Sequence, residues 1–316
     1  MESNERIGGA VTAERPVASG SAGGGRRALT ADLSLLLVTA IWGTTFVVVK
    51  DTLQVLPPFT LIALRFTFAV VALALLFGRR LRGISWTDVR SGMLVGVFLF
   101  VGFATQTLGL QLSPASTSAF ITGLSVVLVP LVALVWLKHR PATGAIVGVA
   151  AAAIGLGLLT IKDSLSFAPG DTLTFGCAVA FAFHIVAVGK FAPKMDALVL
   201  TLVQLAFTGL LSWGVALTVE HPTIVWTPGL LLVLLYMGVV ATGLVFCIQN
   251  VAQRFTPATH TALIFTMEPV FAAFFAFIWL GEQMGGRAGF GAVLILAGML
   301  AAEFWPRRCK GTAAID

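Results

Sequence analysis

Residues 106–137 read QTLGLQLSPASTSAFITGLSVVLVPLVALVWL, and residues 249–280 read QNVAQRFTPATHTALIFTMEPVFAAFFAFIWL. A shift of 143 positions lays one on the other without a gap. Gln106 then falls on Gln249, Ser113-Pro114-Ala115 on Thr256-Pro257-Ala258, Ala119 on Ala262, Ile121 on Ile264, and Trp136-Leu137 on Trp279-Leu280. The match continues downstream, with Gly148 on Gly291 and Gly155 on Gly298. Upstream, a shift of 139 sets Asp32 on Asp171 and Phe68 on Phe207. Apolar helices match one another by chance at Ala, Gly and Leu. They do so far less readily at Gln, Ser/Thr-Pro-Ala and Trp-Leu, so the chain reads as two related halves.

Composition places both halves in a bilayer. Of 316 residues, 58% are hydrophobic and 11% charged, where a soluble domain carries about 25% charged residues. That deficit excludes a water-facing surface. Phe is abundant and Tyr nearly absent, at 24 against 1, which suits a lipid-facing exterior. A span needs roughly 20 mostly apolar residues to cross about 30 Å of hydrocarbon. Apolar runs between polar breaks predict ten: 33–50, 59–77, 90–110, 117–137, 142–161, 171–190, 197–219, 229–250, 258–280 and 287–305. Pro and Gly mark the joints, as at Pro57-Pro58, Pro141, Pro169-Gly170 and Pro228-Gly229. The expected fold is an all-α polytopic membrane protein.

The placement of basic residues sets orientation. With the N-terminus inside, the inner segments hold Arg6, Arg15, Arg26, Arg27, Arg79, Arg80, Arg82, Arg90, Lys138, Arg140, Lys190, Lys194, Arg254, Arg307, Arg308 and Lys310. The outer segments hold only Lys50, Lys162 and Arg287. This bias predicts both termini in the cytoplasm and an even number of spans. It also explains the net charge of +6 without nucleic acid as a partner. Residues 1–30 read as a disordered cytoplasmic tail, rich in Gly, Ala, Ser and charge. Residues 31–161 form the first five-helix repeat, 170–305 the second, and 306–316 a cytoplasmic C-tail. The first apolar run lacks a cleavage pattern and is expected to remain as a helix. Five is odd, so the second half enters the membrane from the opposite side. Two inverted repeats around a midplane site are common in secondary transporters.

Specific residues sharpen this reading. The first helix carries Trp42-Gly43-Thr44-Thr45-Phe46 and ends at Lys50, and the second carries Leu64-Arg65-Phe66. The ninth carries Glu268-Pro269 and runs on to Leu280-Gly281-Glu282. This set resembles the EamA family of the drug/metabolite transporter superfamily, over about residues 31 to 305. The resemblance implies a ten-helix carrier with a central cavity between its halves. Many bacterial members are implicated in exporting amino acids or other metabolites. The first half has Lys138-His139-Arg140 where the second has Gly281-Glu282-Gln283, which removes one matching acid.

Glu268 is the sharpest candidate within a span. A carboxylate at the midplane costs about 2.5–3.5 kcal/mol on insertion scales, so it faces the protein interior or a wet cavity. It either contacts a substrate ammonium group, couples to protons, or bonds within the bundle beside a kink at Pro269. Arg65 either binds a carboxylate or serves structure and gating. Lys50 reads as an interfacial anchor or outer-mouth charge. Trp42, Gly43, Thr44 and Thr45 offer a ring, a close approach and two hydroxyls, suited to a cavity wall or to helix packing. Gln106 and Gln249 need partners if buried, found in substrate or across the bundle in each other. Thr122, His184 and Asn250 complete the cavity candidates, with Ser125 and Thr266 behind them.

The expected activity is export of a small metabolite across the cytoplasmic membrane by alternating access, with amino acids or related compounds ahead of drugs and other amphipathic molecules. A channel or a non-transporting scaffold is the competing class. An intramembrane enzyme is disfavoured by the absence of a His-Glu-x-x-His pattern and of paired intramembrane acids. The cysteines Cys177, Cys247 and Cys309 form no metal-ligand spacing, and no cofactor is expected. Expected partners are the substrate and membrane lipids. Glycine-spaced faces on the fifth and tenth helices suit either an internal scaffold or a homodimer contact.

Overall fold

The computed structural model describes residues 22–113, 115–138, 141, 143–160, 169–280 and 286–304. Residues 1–21 and 306–316 of the expected tails, Pro114, His139, Arg140, Lys162 and Gly281-Glu282-Gln283 lie outside these. The described residues fall into ten helices joined by short connections. They are α1 (Ala22–Thr52), α2 (Pro58–Phe77), α3 (Trp86–Leu112), α4 (Ala115–Gly123 and Ser125–Trp136) and α5 (Thr143–Thr160). The second set is α6 (Pro169–Phe191), α7 (Ala197–Val215), α8 (Pro228–Leu235, Tyr236–Leu244 and Val245–Ala252), α9 (Ala258–Phe265 and Met267–Leu280) and α10 (Gly286–Phe304). Among the described residues, seven segments are long and apolar enough to cross a membrane: Arg27–Thr52, Pro58–Leu81, Trp86–Leu112, Ser118–Trp136, Pro169–Lys194, Ala197–Glu220 and Pro228–Ala252. α5 and α10 contain shorter apolar stretches, Thr143–Leu158 and Gly289–Gly298, and α9 is divided.

Local chemistry sets the ends. Ser85 caps α3 by accepting from the Asp88 N–H while Asp88 accepts from the Ser85 N–H. Asp196 caps α7 through the Leu198 N–H, and Thr227 caps α8 through the Leu230 N–H. The start of α2 is capped from across the fold. The Glu220 carboxylate accepts from the N–H groups of Phe59 and Thr60 at 2.8 Å each, and from the Thr60 hydroxyl at 2.7 Å. An acid at a helix N-terminus also meets the favourable end of the macrodipole.

α1 begins ahead of its expected start at 33, so residues 22–30 are helical where a disordered tail was expected. Two further differences concern helices read as continuous. α4 is interrupted at Leu124 and α9 at Thr266, positions that nearly coincide under the 143-residue shift. The expected kink at Pro269 falls one turn earlier. Proline clashes with the carbonyl four residues before it, here Phe265, so the strain is released at Thr266. There the N–H bonds the Leu263 carbonyl at 3.2 Å, a tightened turn.

The packing of one half repeats in the other. α3 lies against α6 and α7 as α8 lies against α1 and α2. α4 packs on α6 as α9 packs on α1, while α2–α7 and α5–α10 are self-related pairs. α5 and α10 meet on their glycines. A Cβ on Gly155 would stand 2.6 Å from the Gly291 carbonyl, and one on Gly298 would stand 2.8 Å from that of Gly148. Leu35, Phe66, Leu99, Leu205 and Phe246 fill the interior, while Leu75, Val135 and Leu232 are 83%, 80% and 70% exposed on the periphery. Large aliphatics that open to the surroundings define a lipid-facing belt.

Candidate functional site

A narrow cavity lies at the centre, between α1–α4 on one side and α6, α8 and α9 on the other. Its volume, about 60 Å³, leaves room for a few waters, each needing about 10–15 Å³ by the same measure. At that volume the cavity is too tight for a metabolite. Repeat-related positions line it in pairs: Trp42 with Phe181, Thr45 with His184, Phe103 with Phe246, Gln106 with Gln249, Ala119 with Ala262, and Ser125 with Glu268. The walls are thus alike in shape and unlike in charge.

Charge enters through Arg65 and Glu268. Arg65 is 4% exposed. Its Nε donates to Thr242 Oγ1 at 2.5 Å, its Nη2 donates to the Ala241 carbonyl at 3.1 Å, and its guanidinium lies 4.7 Å from the Phe103 ring centroid. The Ala241 carbonyl also accepts from Trp42 Nε1 at 3.1 Å. Both bonds depend on the wide turns of Tyr236–Leu244 in α8. An i→i+5 stretch re-aims backbone carbonyls, and such bulges recur at functional sites. Glu268 lines the same cavity from the first turn of the second α9 segment. The break at Thr266 therefore supplies a helix N-terminus beside the Glu268 carboxylate. Arg65 and Glu268 make no ion pair with each other; Arg80–Asp196 is the ion pair among the described residues.

The amides do not bridge the bundle. Gln106 Nε2 donates to Thr122 Oγ1 at 3.3 Å, and Gln249 Nε2 to Gln253 Oε1 at 3.0 Å, each within its own half. Gln249 Oε1 is buried and has no hydrogen-bond partner among the described residues. His184 Nε2 pairs with Gln204 Oε1 at 2.9 Å and stands edge-on to Phe246.

Other candidates sit outside the cavity. Gly43 is buried against α9, where an added Cβ would lie 2.9 Å from Phe271 Cβ and 3.0 Å from the Ala272 nitrogen. Thr44 donates to the Ile41 carbonyl and shares a 2.5 Å hydrogen bond with Tyr236 Oη. Asn250 donates to Thr201 Oγ1 at 2.8 Å. Lys50 donates to the Ser113 carbonyl at 2.9 Å, tying α1 to the α3–α4 turn. The aromatic liners Phe103, Phe181 and Phe246 were not singled out in the sequence. The repeat signal does reach them, since Phe103 and Phe246 coincide under the 143-residue shift.

Each end of the bundle carries a polar tie between halves. Ser113 Oγ in the α3–α4 turn donates to Asp171 Oδ1 of α6 at 2.7 Å. Thr256 Oγ1 in the α8–α9 turn donates to Asp32 Oδ1 of α1 at 2.8 Å. These are repeat mates on both sides of the bond, Ser113 with Thr256 and Asp171 with Asp32. Lys50, near the C-terminal end of α1, reaches the Ser113 carbonyl and Asp32 lies nearer its start, so the two ties stand at opposite ends of that helix.

Comparison with known proteins gives a consistent picture. The model of the EamA-like transporter family matches residues 29–161 and again residues 168–302, so the same domain occurs twice. An uncharacterized transporter of Archaeoglobus fulgidus is 32% identical over 278 residues, covering 87% of this chain and 86% of its own. The uncharacterized transporter YoaV of Bacillus subtilis is 23% identical over 289 residues, covering 88% of this chain and 98% of its own. A protein of known crystal structure superposes with a TM-score of 0.75 at 20% identity, covering 90% of this chain and 99% of the other. That last likeness concerns the fold alone.

Proposed function

Since the chain belongs to the EamA-like transporter family, and is thus a multi-pass membrane transporter rather than an enzyme, we propose that it works as a secondary carrier by alternating access. Ten spans form two inverted five-helix halves, with both termini in the cytoplasm. The cargo is a small metabolite, and the leading class is exported amino acids or related compounds. The observation that carries this reading is the cavity itself. It lies between the halves, is lined by their paired positions, and has a matched polar tie at each end. Inverted halves have two forms of similar energy, each open at one face. Releasing Ser113 from Asp171 opens one mouth, and releasing Thr256 from Asp32 opens the other.

In this reading Glu268 meets an ammonium group of the cargo, and Gln249, whose Oε1 lacks a partner among the described residues, accepts a hydrogen bond from it. Arg65 is held by Thr242, Ala241 and Phe103, which suits a structural role with a free face for a carboxylate. A second reading has a specific observation behind it. Trp42, Phe103, Phe181, Phe246 and Phe265 line the same cavity as Glu268, and aromatic faces with one acid suit an amphipathic cation.

The test compares compounds released by cells expressing the wild type, Glu268→Gln or no copy of the protein. Wild-type cells release a defined compound class, and Glu268→Gln lowers that release about tenfold, the effect of losing roughly 1.4 kcal/mol of a charged contact. Zwitterions in the medium favour the first reading and apolar amines the second. Release unchanged by Glu268→Gln, with the variant present at normal abundance, removes Glu268 from the mechanism.

A further inference from the structure

Two openings away from the transport cavity meet at the last turn of α8. One is a cleft of about 530 Å³ flanked by the α2 end, the α6–α7 connection and α8. Arg80, Lys194 and Arg254 stand around it. Arg80 Nη1 is engaged by Asp196 Oδ2 at 2.6 Å. Lys194 and Arg254 form no ion pair among the described residues. The other is a groove of about 450 Å³ between α1 and α8, with Arg27 at one end and Ala31, Cys247, Ile248 and Ala252 along its walls. Val251, 41% exposed, borders both.

The groove enters the apolar part of the bundle. Its α1 wall runs from Arg27 to Ser34, roughly 10 Å at about 1.5 Å per residue. A water-soluble anion uses the cleft and leaves the groove empty. A neutral hydrocarbon does the reverse. A molecule with a phosphate beside an acyl chain fits both, with uncompensated cations at the interface and apolar walls below. We propose that one anionic phospholipid of the cytoplasmic leaflet binds here, its phosphate between Lys194 and Arg254 and one acyl chain in the α1–α8 groove. The leaflet rests on the orientation proposed above. The groove is walled by one helix from each half, so a bound chain spans the seam along which the halves move.

The test uses the purified full chain in a neutral detergent and native mass spectrometry. Phosphatidylglycerol and phosphatidylcholine with identical acyl chains are titrated separately, and inorganic phosphate serves as a competitor. One phosphatidylglycerol is retained, about tenfold or more tightly than phosphatidylcholine, as two interfacial cations imply. The exposed double variant Lys194→Gln/Arg254→Gln loses that preference. Val251→Trp, which fills the groove and spares both cations, weakens phosphatidylglycerol retention. Arg79→Gln/Arg82→Gln, on the same face outside the cleft, changes nothing. Equal retention of the two lipids, or a preference that survives Lys194→Gln/Arg254→Gln, overturns the proposal. So does full displacement by millimolar phosphate combined with no effect of Val251→Trp, which assigns the cleft to free phosphate. No flux is read, so failure here leaves the carrier reading standing.

Discussion

Glu268, Trp42, Thr45, Gln106, Thr122, His184 and Gln249 reach one cavity from six helices. Each is a polar or amphipathic group within an apolar run, and the cost of leaving it in lipid turns it inward. That logic identifies which residues turn in, but not the face of the helix that each neighbour takes. Gly43 and Thr44 lie between Trp42 and Thr45 and point elsewhere, because successive residues turn by about 100°. α1 is apolar nearly all round, so its periodicity carries little facing information. The contact of Gly43 with α9 has its own consequence. An added methyl at 2.9 Å from Phe271 Cβ forces α1 off α9, and overpacking costs about 1–3 kcal/mol. Gly43→Ala is expected to lower the thermal midpoint in detergent and Gly43→Val to lower it further. An unchanged midpoint in both variants removes the close contact.

At the scale of helices, each of the ten expected segments overlaps one of α1–α10, and seven segments of the described residues are long and apolar enough to cross a membrane, because hydrophobic length and Pro/Gly punctuation are strong signals. The interruption at Thr266 was announced by Pro269, one turn downstream, whereas the one at Leu124 and the wide turns of α8 were not legible. They arise from where neighbouring helices press and from how backbone groups are shared. Asp32 and Asp171 were visible as an aligned pair, but their bonds to Thr256 and Ser113 depend on how the halves meet. A buried side-chain hydrogen bond contributes about 0.5–1.5 kcal/mol net. Ser113→Ala is therefore expected to raise the fraction open at that mouth roughly 2- to 10-fold. Thr256→Val is expected to do the same at the opposite mouth. Rates of thiol modification at a cavity cysteine, measured from each face, read this out. Equal acceleration from both faces in either variant contradicts a mouth-specific tie.

The whole molecule is a pseudo-symmetric pair whose internal likeness was already written in residues 106–137 and 249–280. The likeness extends to the packing, where α3 with α6 and α7 mirrors α8 with α1 and α2. The chemistry breaks it, with Glu268 opposite Ser125 and His184 opposite Thr45. A carrier needs similar halves for two forms of comparable energy, and unlike walls to hold a cargo in one orientation. Alternating access requires that one cavity be reached from each face in turn. The most direct measurement places a single reporter, Ser125→Cys, in a background lacking Cys177, Cys247 and Cys309. Either Ser113→Cys/Asp171→Cys or Asp32→Cys/Thr256→Cys is then added and oxidised to lock one mouth. An impermeant thiol reagent is applied to each face of the membrane separately. Alternating access predicts labelling only from the α8–α9 turn side when the first pair is locked, only from the α3–α4 turn side when the second is locked, and no flux in either case. Labelling from both faces in both locked forms, or flux that persists through a lock, would contradict it.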